Sequence, residues 1–135
     1  MEKIEWKDDF YVGIHQLDQE HKMIVNSANN VLAQKKDLIN STFPPDYIST
    51  FFNEVLVHFE NEEKLMLETS YPGYQDHLDQ HGFYRNRIAQ KLLNAVWGKE
   101  ESYKELVAFL HDWLNDHIVT EDKKLASFLK DKHIN

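Results

Sequence analysis

Between a few proline and glycine breaks, the sequence repeats one apolar rhythm along four segments. Leu17, His21, Ile24, Ala28 and Val31 are spaced four, three, four and three residues apart. Ile48, Phe51, Val55, His58, Glu62 and Leu65 keep the rhythm, as do Tyr74, His77, His81, Tyr84, Ile88 and Ala95. Leu106, Leu110, Trp113 and His117 close the series. An α-helix turns once every 3.6 residues, so this spacing draws one stripe along one side of each helix. No stretch sustains the period of two that a half-buried strand needs, so no strands are expected.

Pro44-Pro45, Pro72-Gly73 and Gly98 set the boundaries. They predict helices over roughly 18–37, 45–68, 74–97 and 102–131, with a non-helical arm over 1–16. Trp6, Phe10, Tyr11, Val12 and Ile14 of that arm are expected to pack on the helices. Asp18 suits a cap for the first helix, Pro45 the first turn of the second and Gly98 the position just past the third. Ser102 and Glu105 read as a capping box for the fourth. Short links favour antiparallel neighbours. The expected fold is all-α: an up-down-up-down antiparallel four-helix bundle, in one domain over 1–135.

Several function classes are disfavoured at once. Net charge is −8 with no basic stripe, so nucleic acid is not an expected partner. No apolar run approaches the roughly 20 residues that span a bilayer, so no membrane partner is expected either. The N-terminal stretch lacks a secretory pattern, and a cytoplasmic location is expected. With no cysteine in 135 residues, disulfides, thiolate nucleophiles and Cys-held metals are excluded.

The stripes are not purely apolar. His21, His58, Glu62, His77, His81 and His117 all occupy inward positions. Residues four apart lie near one face of a helix, so His58 with Glu62, and His77 with His81, can each aim at one point. Burying these groups without partners would cost several kcal/mol per charged group. Metal coordination is the evident compensation. The donors exceed the four of a structural zinc site and fit two metals sharing carboxylates. A nitrogen-rich set argues against Mg and Ca and allows Fe, Mn, Cu or Zn.

The motifs also resemble a known family. The opening "IEWKDDFYVGIHQLDQEHKMI", then "HFENEEKLM", "YPGYQDHLDQHGF" and "FLHDWLNDHIVTEDKKL", in that order and separation, are similar to the hemerythrins, specifically the single-domain bacteriohemerythrins. The resemblance implies two iron ions joined by an oxo or hydroxo bridge. His77, His81 and His117 would bind one, and His21 and His58 the other, with Glu62 and Asp122 bridging. It implies O2 as the ligand of the iron with two histidines. Phe59, Trp113, Leu114 and Ile118 occupy positions that match the apolar O2 pocket, although ordinary core packing accounts for them equally well. His15, His111 and His133 fall outside the ligand set.

The family pattern and the periodicity disagree at one point. His117 and Asp122 are five residues apart, about 140° on a regular helix, whereas Glu121 sits four away. The resemblance assigns Asp122 to the irons and leaves Glu121 facing solvent, which predicts a π-type turn or bend between 117 and 122.

The function implied is reversible O2 binding at a non-haem di-iron centre, for oxygen storage or delivery, by a monomer that is not an enzyme. The alternatives are an oxygen or redox sensor acting through a separate partner, and a di-iron enzyme of peroxide or nitric oxide chemistry. The chain ends at "SFLKDKHIN" without room for a fused signalling module, and no additional acid, base or substrate pocket stands out for an enzyme.

Overall fold

The computed structural model describes residues 3–135. A 3-10 turn at Asp8–Phe10 precedes α1 (His15–Ala33), α2 (Lys35–Asn40), α3 (Asp46–Glu68), α4 (Tyr74–Ala95) and α5 (Glu100–Trp113). A π-helical stretch, Leu114–Asp122, then leads into α6 (Lys123–Asp131). Leu114 and Lys123 keep right-handed helical backbone at both junctions, so the chain is helical from 100 to 131 without a break. The described residues contain no strand. None of their helices is long and apolar enough to cross a membrane.

α1 packs on α3, α3 on α4, and α4 on α5, so the long helices enclose a shared interior. The inward stripes are buried as their spacing demands, with Leu65, Tyr74 and Tyr84 half-buried at the margins.

The apolar interior falls into two clusters. The larger contains Ile24, Phe51, Val55, Phe59, Ile88, Leu106 and Trp113 among others. The smaller contains Val12, Ile14, Leu17, Met66, Leu125, Ala126 and Leu129. Along α1 the chain passes from the smaller cluster at Leu17 to the larger at Ile24. Along α3 it passes the other way, from Val55 to Met66. His21, His58 and Glu62 lie between the two clusters on these helices.

Several helix ends differ from the sequence expectation. The first helix begins at His15, and Asp18 lies inside its first turn. The Asp18 carboxylate instead reaches back into the arm, accepting hydrogen bonds from the backbone N–H of Val12 (2.7 Å) and Gly13 (3.2 Å). Gly13 has φ +88°, a left-handed backbone that favours glycine; the nearest obstacle to a side chain there is only the movable end of Lys130. The first helix breaks at Gln34, and α2 carries helix three residues past the end expected at 37. The α2 break lets Leu38 reach the larger cluster.

The fourth helix starts at Glu100, so Ser102 is not its cap. Tyr103, buried in that first turn, donates its hydroxyl to the Leu32 carbonyl in the last turn of α1 at 2.6 Å. Pro45 lies just before α3 rather than in its first turn. Past α4, Trp97 and not Gly98 takes the left-handed conformation, at φ 53°. Ser70 (φ 56°) and His133 (φ 62°) do the same past α3 and α6. In both places the following N–H turns back onto the helix, Tyr71 to Met66 and Ile134 to Leu129, each at 2.9 Å.

Of the arm, Phe10, Val12 and Ile14 are buried and Trp6 packs against the larger cluster, but Tyr11 is largely exposed. Ile4 adds an anchor that the sequence reading lacked. It is buried, and its N–H and C=O pair with the Asn29 side chain at 2.7 and 2.8 Å.

Candidate metal centre

Seven polar side chains are buried in the layer between the two apolar clusters: His21, His58, Glu62, His77, His81, His117 and Asp122. Each helix delivers its members by the spacing already described, and the π-helical stretch delivers the last two. There the i to i+5 bonding brings a residue five positions on back toward the same face. His117 Nε2 accordingly lies 3.1 Å from Asp122 Oδ1. Glu121 stays outside the cluster, partly exposed, 3.3 Å from the ammonium of Lys124.

All five imidazoles present Nε2 to the carboxylates, and each carboxylate divides its two oxygens. Glu62 Oε1 faces His77 (3.2 Å), His81 (3.0 Å) and, farther off, His117 (3.8 Å). Its Oε2 faces His58 at 3.5 Å. Asp122 Oδ1 faces His77 (3.2 Å) and His117 (3.1 Å), while Oδ2 faces His21 (2.9 Å) and His58 (3.3 Å). The side chains thus form two donor groups, Glu62, His77, His81, His117 and Asp122 on one side and His21, His58, Glu62 and Asp122 on the other. Within each group the ligating atoms lie within 4.8 Å of one another, and both carboxylates belong to both groups.

The electrostatics are those of a tightly coupled buried set. Burial lowers the pKa of His58, but the carboxylates of Glu62, Asp122 and Glu20 outweigh it and hold the imidazole well above its ordinary value. Burial and the Asp122 and Glu62 carboxylates oppose each other in the same way at His77, whose pKa rises to about 10, and at His117, which is also raised. Burial alone would raise Glu62 and Asp122, yet the surrounding imidazoles hold both below the ordinary carboxylate range. Both carboxylates are therefore ionised and ready to bind a cation.

Hydrogen bonds within the protein do not satisfy this layer. Glu62 Oε2, Asp122 Oδ1, His117 Nε2 and the Nδ1 atoms of His77 and His117 are buried without a hydrogen-bond partner. Such groups normally find one, because leaving them unpaired costs about 1–3 kcal/mol each. A matching family model covers residues 12–129 and is described as the hemerythrin HHE cation binding domain. The chain belongs to the hemerythrin family. It is 30% identical over 130 residues to a bacteriohemerythrin of Stenotrophomonas maltophilia, covering 96% of this chain and 83% of that one. It is 28% identical over 122 residues to a bacteriohemerythrin of Pseudomonas aeruginosa (90% and 78% covered) and 29% identical over 126 residues to a hemerythrin of Sipunculus nudus (92% of each).

The donor set of this hemerythrin domain fits cations. Nitrogen and carboxylate donors converge in a buried layer, with unpaired atoms among them. The four residues matched to the O2 pocket, Phe59, Trp113, Leu114 and Ile118, are all buried in the larger cluster. Phe59 stacks on His81 with centroids 4.0 Å apart and meets His117 edge-on at 5.7 Å. The remaining histidines lie outside the layer: His15 and His133 are exposed and His111 half-buried. A groove of about 680 Å3 between Lys35 of α2 and α5 is lined by His111 and Tyr103 but by none of the seven.

Sequence reasoning missed two outer partners. Glu20 Oε1 lies 2.6 Å from His58 Nδ1, with Asn61 donating to its other oxygen at 2.7 Å. Glu63 Oε2 lies 2.8 Å from His81 Nδ1. Each adjoins a stripe residue in sequence, Glu20 before His21 and Glu63 after Glu62, which is the one available signal.

Proposed function

We propose that this hemerythrin-family chain binds O2 reversibly at a di-iron centre, for oxygen storage or delivery. The observation that carries the reading is the division of oxygens at Glu62 and Asp122: each carboxylate offers one oxygen to each of two histidine groups. One group has three imidazoles and the other two, so the second offers fewer protein donors. His77, His81 and His117 would hold one iron, His21 and His58 the other, and Glu62 and Asp122 both. When bound, an iron pair supplies two-electron chemistry toward O2, with the less saturated iron as the reactive one.

The chain's own residues supply the rest. The ionised carboxylates offset the positive charge of the cations in a layer that excludes water. Phe59, Trp113, Leu114 and Ile118 keep the neighbourhood apolar, which limits access of the water and protons that promote irreversible oxidation. The Nδ1–H of His58 donates to Glu20, leaving Nε2 with its lone pair toward the site. The reversal of cluster order between α1 and α3 supports the up-down-up-down bundle, and the shared interior supports one domain over 1–135.

Iron-replete protein is expected to hold two irons per chain by elemental analysis. After anaerobic reduction it should gain a visible charge-transfer band in air and lose it under vacuum. One zinc per chain would overturn the di-iron reading. A colourless, irreversible oxidation would overturn the carrier role.

A further inference from the structure

His81 is held from three directions. Its Nε2 faces Glu62 Oε1 at 3.0 Å. The Phe59 ring lies on its face, with the two planes 11° apart. Its Nδ1 faces Glu63 Oε2 at 2.8 Å. Glu63 is itself anchored, since Arg85 Nη2 lies 3.6 Å from the same oxygen. The Arg85 guanidinium also lies 5.9 Å from the centre of the Phe59 ring. Arg85 follows His81 by four residues and so shares its face of α4. The other two histidines of this donor group have no such backing, because Nδ1 of His77 and of His117 has no partner.

We propose that Glu63, anchored by Arg85, is a positioning residue that fixes His81 as the anion-backed ligand of the three-histidine iron. This rests on the di-iron reading above. An ionised carboxylate only accepts, so Nδ1 of His81 donates to Glu63 and Nε2 keeps its lone pair for the metal. The hydrogen bond fixes the ring's tautomer and orientation and increases its basicity. Glu63 is 21% exposed, so water only partly screens its charge. On the other side of the centre, Glu20 holds His58 by the same contact. Each iron would then have one imidazole backed by a carboxylate outside its own ligand set.

The test compares iron-loaded wild type with Glu63→Gln, Glu63→Ala and a control, Glu60→Gln, exposed on the same helix. Helical circular dichroism confirms folding, a chelator competition reads iron affinity and a redox titration reads the midpoint potential. Iron affinity should fall about tenfold in Glu63→Gln and toward about a hundredfold in Glu63→Ala. The glutamine keeps shape and an acceptor oxygen but not charge, so it should rescue part of the affinity and none of the potential. Both variants should shift the potential upward, because a lost nearby anion disfavours the more positive ferric state. Glu60→Gln should match wild type. A folded Glu63→Gln with wild-type affinity and potential overturns this role alone. Wild type that takes up no iron overturns the di-iron reading along with it.

Discussion

A protonated imidazole in a dry interior must be balanced by a negative charge, and in this layer Glu62 and Asp122 provide it. The metal-free protein therefore gains stability from protons that a cation would displace. His77 illustrates the sign. Its pKa rises from 6.5 to about 10 in the folded chain, so its contribution is full below about pH 6.5 and is lost as pH rises through about 10. Urea midpoints of the metal-free protein are expected to fall across that window. Iron retention against a chelator should move the other way and strengthen as pH rises, because binding requires the same protons to leave. A substitution separates ligands from bystanders. His117→Ala should lose iron and stability together, whereas His111→Ala should keep its iron, measured as iron per chain and thermal midpoint. The inward histidines were legible in the sequence because a periodic stripe shows which side of a helix is buried. Glu20 and Glu63 were not, because their partners lie on other helices and only packing brings them together.

The π-helical stretch is the element on which the site depends most. A regular helix would turn Asp122 about 140° from His117, and the periodicity alone favoured Glu121. The spacing of five was therefore a legible signal of irregular backbone, once the family pattern had named both residues. Helix ends were less legible. Gly98 was the evident candidate for the left-handed position past α4, but Trp97 takes it, with its N–H bonded to the Leu38 carbonyl at 3.0 Å. That bond depends on where α2 lies, which no local pattern reveals. The Trp97 side chain is 73% exposed and contributes little packing. Trp97→Gly should relieve the left-handed backbone and stabilise the protein by about 1 kcal/mol, read from the urea midpoint.

At the scale of the molecule, a polar layer separates a large apolar cluster from a small one, and the small one joins the last residues of the arm to the C-terminal helix. Val12 and Ile14 enter it from the arm, Leu125 and Leu129 from α6, and the His15 N–H closes the loop to the Asn135 carbonyl at 3.0 Å. With iron bound, the layer ties these parts to the rest of the molecule. Without it, the small cluster has few apolar residues to sustain it. Hydrogen exchange of the metal-free protein should rise first over residues 11–14 and α6, while the amides of α3 and α5 facing the larger cluster stay protected; uniform loss of protection would contradict this division. Terminal segments that open are also where proteases cut. A chain that loses its iron is thus expected to be digested sooner than a loaded one, so that the supply of iron would set how long each molecule survives.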